Sequence, residues 1–300
     1  MTETGSLAQK KSPPKSLGLV AALSKNEAQE LAVELSAFLA GNGVDVVPES
    51  ALSPEAGNQV DGIVVLGGDG LMMRAAKSYA GVPLLGINFG KVGFLAHVER
   101  DDWKTALTSL LAGEYSIQES STLNATLETR QGPEDQGWAI NDVVIRSGVR
   151  MIDVEVYVDG YFVNTYPGDG MIVATSRGST AYCMAAGGPI LTTGVRGFAI
   201  VPISCHSPIR TPMVVEESAQ IDLLFNSRHD ASLILDGRVT SELAPGDGVA
   251  VRLGKHKCRL ISVKNTDFYE AFRTKFNFRI RPDAAPSRLA STRDAQAPTG

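Results

Sequence analysis

A chain of 300 residues, 43% hydrophobic and 20% charged, can bury one large core or two smaller ones, and it is neither disordered in bulk nor an extended helical rod. With 28 Lys and Arg against 33 Asp and Glu, the net charge of −5 lacks the basic excess that counterion release on nucleic acid exploits, so no nucleic-acid partner is expected. Cys183, Cys205 and Cys258 form no CxxC pair and read as buried thiols of a reducing compartment. The first 16 residues contain no apolar signal core, and Leu17 to Leu23 is too short to span a bilayer, so a cytoplasmic chain with no membrane partner is expected.

Residues 1–16 and 280–300 are rich in Pro, Ser and Ala without periodicity, the composition of solvated tails. From Leu17 onward apolar runs alternate with helical patterns. LGLVAAL reads as a buried strand. Ser24 and Glu27 read as a capping box ahead of Ala28, Leu31, Leu35 and Phe38, with Gly41 ending that helix. VDVV, IVVL, a helix from Leu71 to Ala80, LLGI and a helix from Asp101 to Ala112 follow. This alternation predicts an α/β domain over residues 17–119, built on a parallel sheet covered on both faces. Beyond it, residues 120–265 hold many short strand-like runs broken by Asp159-Gly160, Asp236-Gly237 and Pro245-Gly246-Asp247-Gly248. They predict an all-β, sandwich-like second domain with one helical exception starting near Gly178. An amphipathic segment at residues 266–279 reads as a helix returning to the first domain.

IVVL runs directly into Gly67-Gly68-Asp69-Gly70 and then a helix. Carboxyl ends of parallel strands beside helix N-termini are where open sheets place ligands. A carboxylate among glycines would repel a phosphate, so Asp69 reads as a cation holder or as the acceptor of a proton from an attacking hydroxyl, against a plain Gly-Asp turn. No GxxxxGK[ST] and no strand-borne GxGxxG exist. A second glycine-rich strand exit, GINFGKVGFL, places Asn88 to hydrogen-bond a ribose and Phe94 to pack on a ring or in the core. Asn141-Asp142 interrupts WAINDVVI as a polar pair that needs partners, among them a ligand sugar, unless it marks a strand end. Gly168-Asp169-Gly170 and the small-residue block GSTAYCMAAGGP flank a buried strand. That block suits close approach to a flat ligand stacked on Tyr182, or a tight helix–sheet contact. The histidines at 97, 206, 229 and 256 show no metal-ligand spacing, and Ser179 lacks a GxSxG elbow.

Taken in order, GGDG, GINFGKVGFL, the Asn-acidic pair, DGMIVATSRGSTAYCMAAGGPI, the CHSP segment, LDGR and FYEAFRTKF resemble the NAD kinases over Leu17 to Phe278. The resemblance implies an α/β domain and a β-rich domain with NAD bound between them in a homodimer or homotetramer. The implied reaction transfers a phosphoryl group from ATP or polyphosphate to the 2′-hydroxyl of the adenosine ribose with a divalent metal, Mg²⁺, whose ligands are not assigned. It makes Asp69 the proton acceptor, with Gly67, Gly68 and Gly70 beside it contacting NAD. Arg74, Asn88 and Phe94 would lie along the ligand, and Asn141 and Asp142 would bind ribose hydroxyls. Asp169 would contact the nicotinamide half, Thr180, Ala181, Tyr182 and Ala185 would surround the nucleoside, and Arg150 and Arg238 would reach the ligand. Leu71, Asp142, Ser176-Arg177, Pro167 and Arg238 depart from the residues usual in that family. A lipid kinase of the GGDG type and a non-catalytic dinucleotide sensor stand as alternatives.

Overall fold

The computed structural model describes residues 11–263, apart from 55, 56, 58, 90–92, 193 and 209. The sequence alternation of the first part folds as expected. β1 (Ser16–Ala21), β2 (Asp45–Pro48), β3 (Gly62–Gly67) and β4 (Leu84–Asn88) pair in parallel in the order β4-β3-β1-β2. Every residue of β3 and β4 is buried, as for strands covered on both sides. One cover is α1 (Asn26–Gly41) with α3 (Trp103–Leu111), which pack Leu31, Leu35, Leu39, Trp103 and Leu107 on Leu19, Val64, Leu66, Leu85 and Ile87. The other is α2 (Asp69–Ser78), whose Met72, Ala75 and Ala76 meet Val20, Ile63, Val65 and Leu84. The two-residue β5 (Val98–Glu99) pairs with the end of β4.

The expected capping box at Ser24 does not form. Lys25 takes the cap position in extended backbone without a side-chain cap bond, and Glu27 instead pairs with Arg100 at 2.7 Å. α2 starts two residues earlier than Leu71, because Gly68 adopts the extended backbone of a cap and frees Asp69 to open the helix. Part of the expected N-terminal tail is fixed to the fold. Lys11 N–H donates to Gly113 O at 3.0 Å, Lys15 N–H donates to the Asp61 carboxylate at 2.7 Å, and Pro14 is buried.

The second part contains β6 (Ser116–Thr129), β7 (Gly132–Ala139), β8 (Asp142–Ser147), β9 (Ile152–Val158), β10 (Tyr161–Gly168), β11 (Gly170–Ala174) and the short α4 (Tyr182–Ala185). It continues with β12 (Gly197–Ile203), β13 (Met213–Glu216), β14 (Ile221–Phe225), β15 (Ala231–Leu235), β16 (Arg238–Leu243) and β17 (Gly248–Ser262). Six antiparallel strands form one sheet, in the order β13-β12-β11-β8-β15-β16. The others join the parallel strands, because the end of β17 lies beside β4 at Leu260 and Leu84. The division expected between residues 119 and 120 therefore falls inside β6, which pairs with β17 from Ser116 onward. Alternate residues of the two sheets face each other across a sandwich core. Val143, Ile145, Met171, Val173, Phe198 and Leu233 meet Leu123, Val154, Val156, Leu223, Phe225 and Val251. The amphipathic segment 266–279 and the tail 280–300 lie outside the described residues.

Phe225 is fully buried in this core. Phe225→Ala is expected to lower the free energy of unfolding by about 3–5 kcal/mol, read from the midpoint of a urea titration at unchanged slope.

Candidate active site

Where β3 ends, Gly68 turns the chain and Asp69 opens α2 with its side chain folded back over the loop that follows β4. Its Oδ2 accepts the N–H of Phe94 at 2.7 Å, and its Oδ1 accepts those of Leu95 at 3.0 Å and Ala96 at 3.3 Å. A side chain at residue 93 would collide with this carboxylate, so only glycine fits there. Asn88, 4% exposed, ends β4 in register with Gly67. Gly67, Gly68, Asp69, Asn88 and Phe94 are thus assembled at one strand exit, with Gly70 exposed beside them. Leu71 packs over Gly67, where a Cβ would lie 2.6 Å from Leu71 Cδ2, so the apolar residue fills a space the backbone leaves open.

Asp69, Met73 and Lys77 follow each other at four-residue spacing and share one stripe of α2. Met73 Sδ lies 3.6 Å from Asn141 Nδ2, and Lys77 Nζ lies 2.8 Å from Asp236 Oδ2. Asp236 sits in the turn between β15 and β16 with φ of +49°, a conformation that Asp tolerates. Its carboxylate accepts the backbone N–H groups of Ile140 at 2.9 Å, Asn141 at 2.7 Å and Asp142 at 3.3 Å. One buried acidic side chain therefore shapes the turn that presents Asn141 and Asp142. Asp142 itself is 5% exposed, and among the described residues no hydrogen-bond donor meets its carboxylate. Burial, reinforced by the Asp236 charge and opposed by Lys77, pushes its pKa from 3.8 up to about 7.

Behind this turn the chain is closely packed. The hydroxyl of the fully buried Thr175 donates to Ile140 O at 2.7 Å and accepts Gly178 N–H at 3.0 Å, while Thr175 N–H donates to Asn141 O at 2.9 Å. A Cβ at Gly178 would run into the Asn141 carbonyl, which explains a glycine at the head of the small-residue block. Residues 178–191 cover the outer face of the six-stranded sheet, against Val144, Ile172, Ala199 and Val201. Asp142 and Arg146 share that face of β8, four residues apart. The Arg146 guanidinium lies 5.6 Å from the Tyr182 ring centre. Burial, with Asp142 nearby, pushes the Cys183 thiol up to about 11.

The remaining sequence candidates sit further out. Arg74 is engaged by Glu49 at 2.5 Å. Thr180 and Ala181 lead into α4 beside Tyr182, whereas Ala185 is exposed at its end. Asp169 is exposed just before β11, opposite the far end of β8 from Asp142, roughly 15 Å along the strand direction. Arg238 is exposed two residues after Asp236, and Arg150 is exposed in the turn after β8. Lys77 carries no local signal in the sequence, and Asp236 reads as an ordinary Asp-Gly turn. The only signal for Asp236 was its position in LDGR, and nothing local announced that it is buried beneath another strand's end.

A glycine-wrapped carboxylate at a parallel-strand exit, on the helix whose Met73 touches Asn141, is geometry suited to the proton transfer that a phosphotransferase acting on a sugar hydroxyl needs. The family comparisons name it more closely: residues 17–115 match the ATP-NAD kinase N-terminal domain and residues 140–263 the ATP-NAD kinase C-terminal domain. The NAD kinase of Thermomicrobium roseum is 53% identical over 283 residues, covering 94% of this chain and 98% of that protein. That of Geobacter metallireducens is 38% identical over 231 residues, covering 75% and 82%. A solved NAD kinase from Archaeoglobus fulgidus in complex with ATP superposes with a TM-score of 0.68 at 25% identity, covering 87% of this chain and 97% of that one. Yeast NADH kinase complexed with NADH shares the fold with a TM-score of 0.80 at 19% identity, covering 93% and 91%. The chain belongs to the NAD kinase family and is an enzyme of that class.

Because Asp142 binds its proton more tightly in the folded chain than in the unfolded one, its contribution to stability is complete below pH 3.8 and is lost as pH rises to about 7. Asp142→Asn is expected to melt with the wild type near pH 4 and several degrees above it at pH 8, read by calorimetric melts at both pH values. An equal offset at both would contradict the assignment.

Proposed function

We propose that NAD lies along the outer face of β8, with its adenosine ribose between Asp69 and the Asn141–Asp142 pair, and that MgATP phosphorylates the ribose 2′-hydroxyl to give NADP. One observation carries this reading: the stripe of α2 that begins with Asp69 meets Asn141 one turn later. Asp142 lacks a donor among the described residues, and ribose hydroxyls would supply it. Tyr182 offers a ring to the nucleoside, and Asp169 stands far enough along β8 to meet the nicotinamide half of an extended dinucleotide.

In the proposed step the 2′-oxygen forms a bond to the γ-phosphorus, the bond from that phosphorus to the β,γ-bridging oxygen breaks, and ADP leaves. The hydroxyl proton passes to Asp69 Oδ2, which carries one of the three backbone hydrogen bonds and keeps a lone pair for it. The clamp at residues 94–96 holds this oxygen still, which is the positioning that phosphoryl transfer chiefly requires. Among the described residues no group of three or more His, Cys, Asp or Glu is placed to hold a metal ion, and Mg²⁺ in phosphoryl-transfer sites is carried largely by the substrate phosphates. We assign Mg²⁺ to the donor, as part of the MgATP substrate.

The polyphosphate donor expected as an alternative is separated by assaying both donors. Family membership displaces the lipid-kinase reading. Three buried free thiols support a reducing, cytoplasmic setting, and among the described residues no helix is long and apolar enough to cross a membrane. Tyr161 and Phe162, exposed on the edge strand β10, support a homo-oligomer.

Asp69→Asn is expected to lower kcat for NADP formation from NAD and MgATP by ~10²- to 10⁴-fold, while calorimetry shows NAD still bound. Undiminished turnover would exclude Asp69 as the proton acceptor, and turnover absent from the wild type with every donor would leave a dinucleotide sensor.

A further inference from the structure

Lys77 and Asp236 take no part in the chemistry above, yet they join its two halves. Asp236 is a carboxylate with a side chain 3% exposed, and such a charge persists in the folded state only when charged or strongly polar partners replace water. Here three consecutive backbone N–H groups, those of Ile140, Asn141 and Asp142, converge on it, and Lys77 supplies the opposite charge. The convergence bends the chain into a concave anion-holding turn, which dictates where the Asn141 and Asp142 side chains leave the backbone. The turn between β15 and β16 is tied back in return, because Asp236 N–H donates to Asp142 O at 3.0 Å.

Lys77 lies on the same helix as Asp69 and on the same stripe. Its Nζ is 5.9 Å from the centre of the Trp138 ring, two residues before Ile140, so it is steadied by the strand it anchors. Its ammonium also offsets the effect of the Asp236 charge on the neighbouring Asp142 carboxyl. The ion pair is therefore a cross-brace: one end sits on the helix that carries the proton acceptor, and the other organises the turn that presents the ribose ligands.

We propose that Lys77 and Asp236 are positioning residues for NAD, fixing the distance and orientation between Asp69 and the Asn141–Asp142 turn without touching the dinucleotide. This rests on the reading of Asn141 and Asp142 as ribose ligands. A carboxylate is required at 236 because its two oxygens serve three N–H donors and an ammonium, whereas an Asn amide would turn an NH₂ group toward them. At 77 any side chain that brings a cation to the same point suffices.

The test measures NAD binding by calorimetry and steady-state kinetics against NAD and against MgATP for wild type, Asp236→Asn, Lys77→Met and Lys77→Arg. Both neutralising variants are expected to raise Kd and KM for NAD by about tenfold or more while KM for MgATP stays within about twofold, and Lys77→Arg is expected to recover most of the loss. NAD affinity within about twofold of wild type in folded Lys77→Met overturns the proposal. So does a parallel rise in both KM values with a lowered melting temperature that Lys77→Arg does not rescue, since that marks a merely structural pair. If Asp236→Asn does not fold, the two Lys77 variants decide the matter, because Lys77 is 30% exposed and tolerates substitution. A wild type that binds NAD but makes no NADP refutes the catalytic reading alone, and the calorimetric comparison then still decides this one. A wild type that binds no NAD refutes both.

Discussion

Two acidic side chains hold this site together by the same physical device. Asp69 accepts three successive backbone N–H groups from residues 94–96, and Asp236 accepts three from residues 140–142. Loops that leave strand ends carry N–H groups with no strand to pair with, and buried amides left unpaired are costly. A carboxylate delivered from another element satisfies three of them at once and fixes the loop's shape. Charge-assisted hydrogen bonds to backbone are stronger and shorter than neutral ones, so loops held in this way are suited to precise chemistry.

That device works because the scaffold brings distant segments to the same edge. The sheet does not stop where the helices do: β17 continues it from β4 into the β-rich part, and α2 packs against residues of both, including Ile140, Cys258 and Leu260. The helix that carries Asp69 therefore meets the strand end that carries Asn141 and Asp142 through a shared core rather than across a mobile junction. Burial disfavours the charged form of Asp142, whose carboxylate meets no donor among the described residues, and raises its pKa to about 7. A ligand whose hydroxyls satisfy it recovers part of what folding gave up.

Much of this was legible from sequence, for identifiable reasons. β3 and β4 were readable because strands buried on both faces leave unbroken apolar runs, and Asp69 because its glycines sit directly at such a run's end. The sandwich was readable from many short strand-like runs broken by turn residues, though not which residues face inward, because Val144 between Val143 and Ile145 is apolar and packs on the opposite face. What failed was whatever a long-range partner decides. Ser24 and Glu27 have the spacing of a capping box, but Glu27 is drawn to Arg100 and Lys25 becomes the cap. Residues 11–15 have the composition of a tail, but Gly113 and Asp61 bind their backbone. Lys77 and Asp236 are ordinary as isolated letters and acquire meaning only from each other, 159 positions apart by their numbers.

The central claim concerns where Asp69 points when substrates are present. A crystal structure of the chain with NAD, Mg²⁺ and a non-hydrolysable ATP analogue would measure it directly. The account requires Asp69 Oδ2 within about 2.6–3.2 Å of the adenosine ribose 2′-oxygen, with that oxygen aimed at the γ-phosphorus. An Asp69 carboxylate facing away from the ribose, with another side chain in contact with the 2′-oxygen, would contradict it.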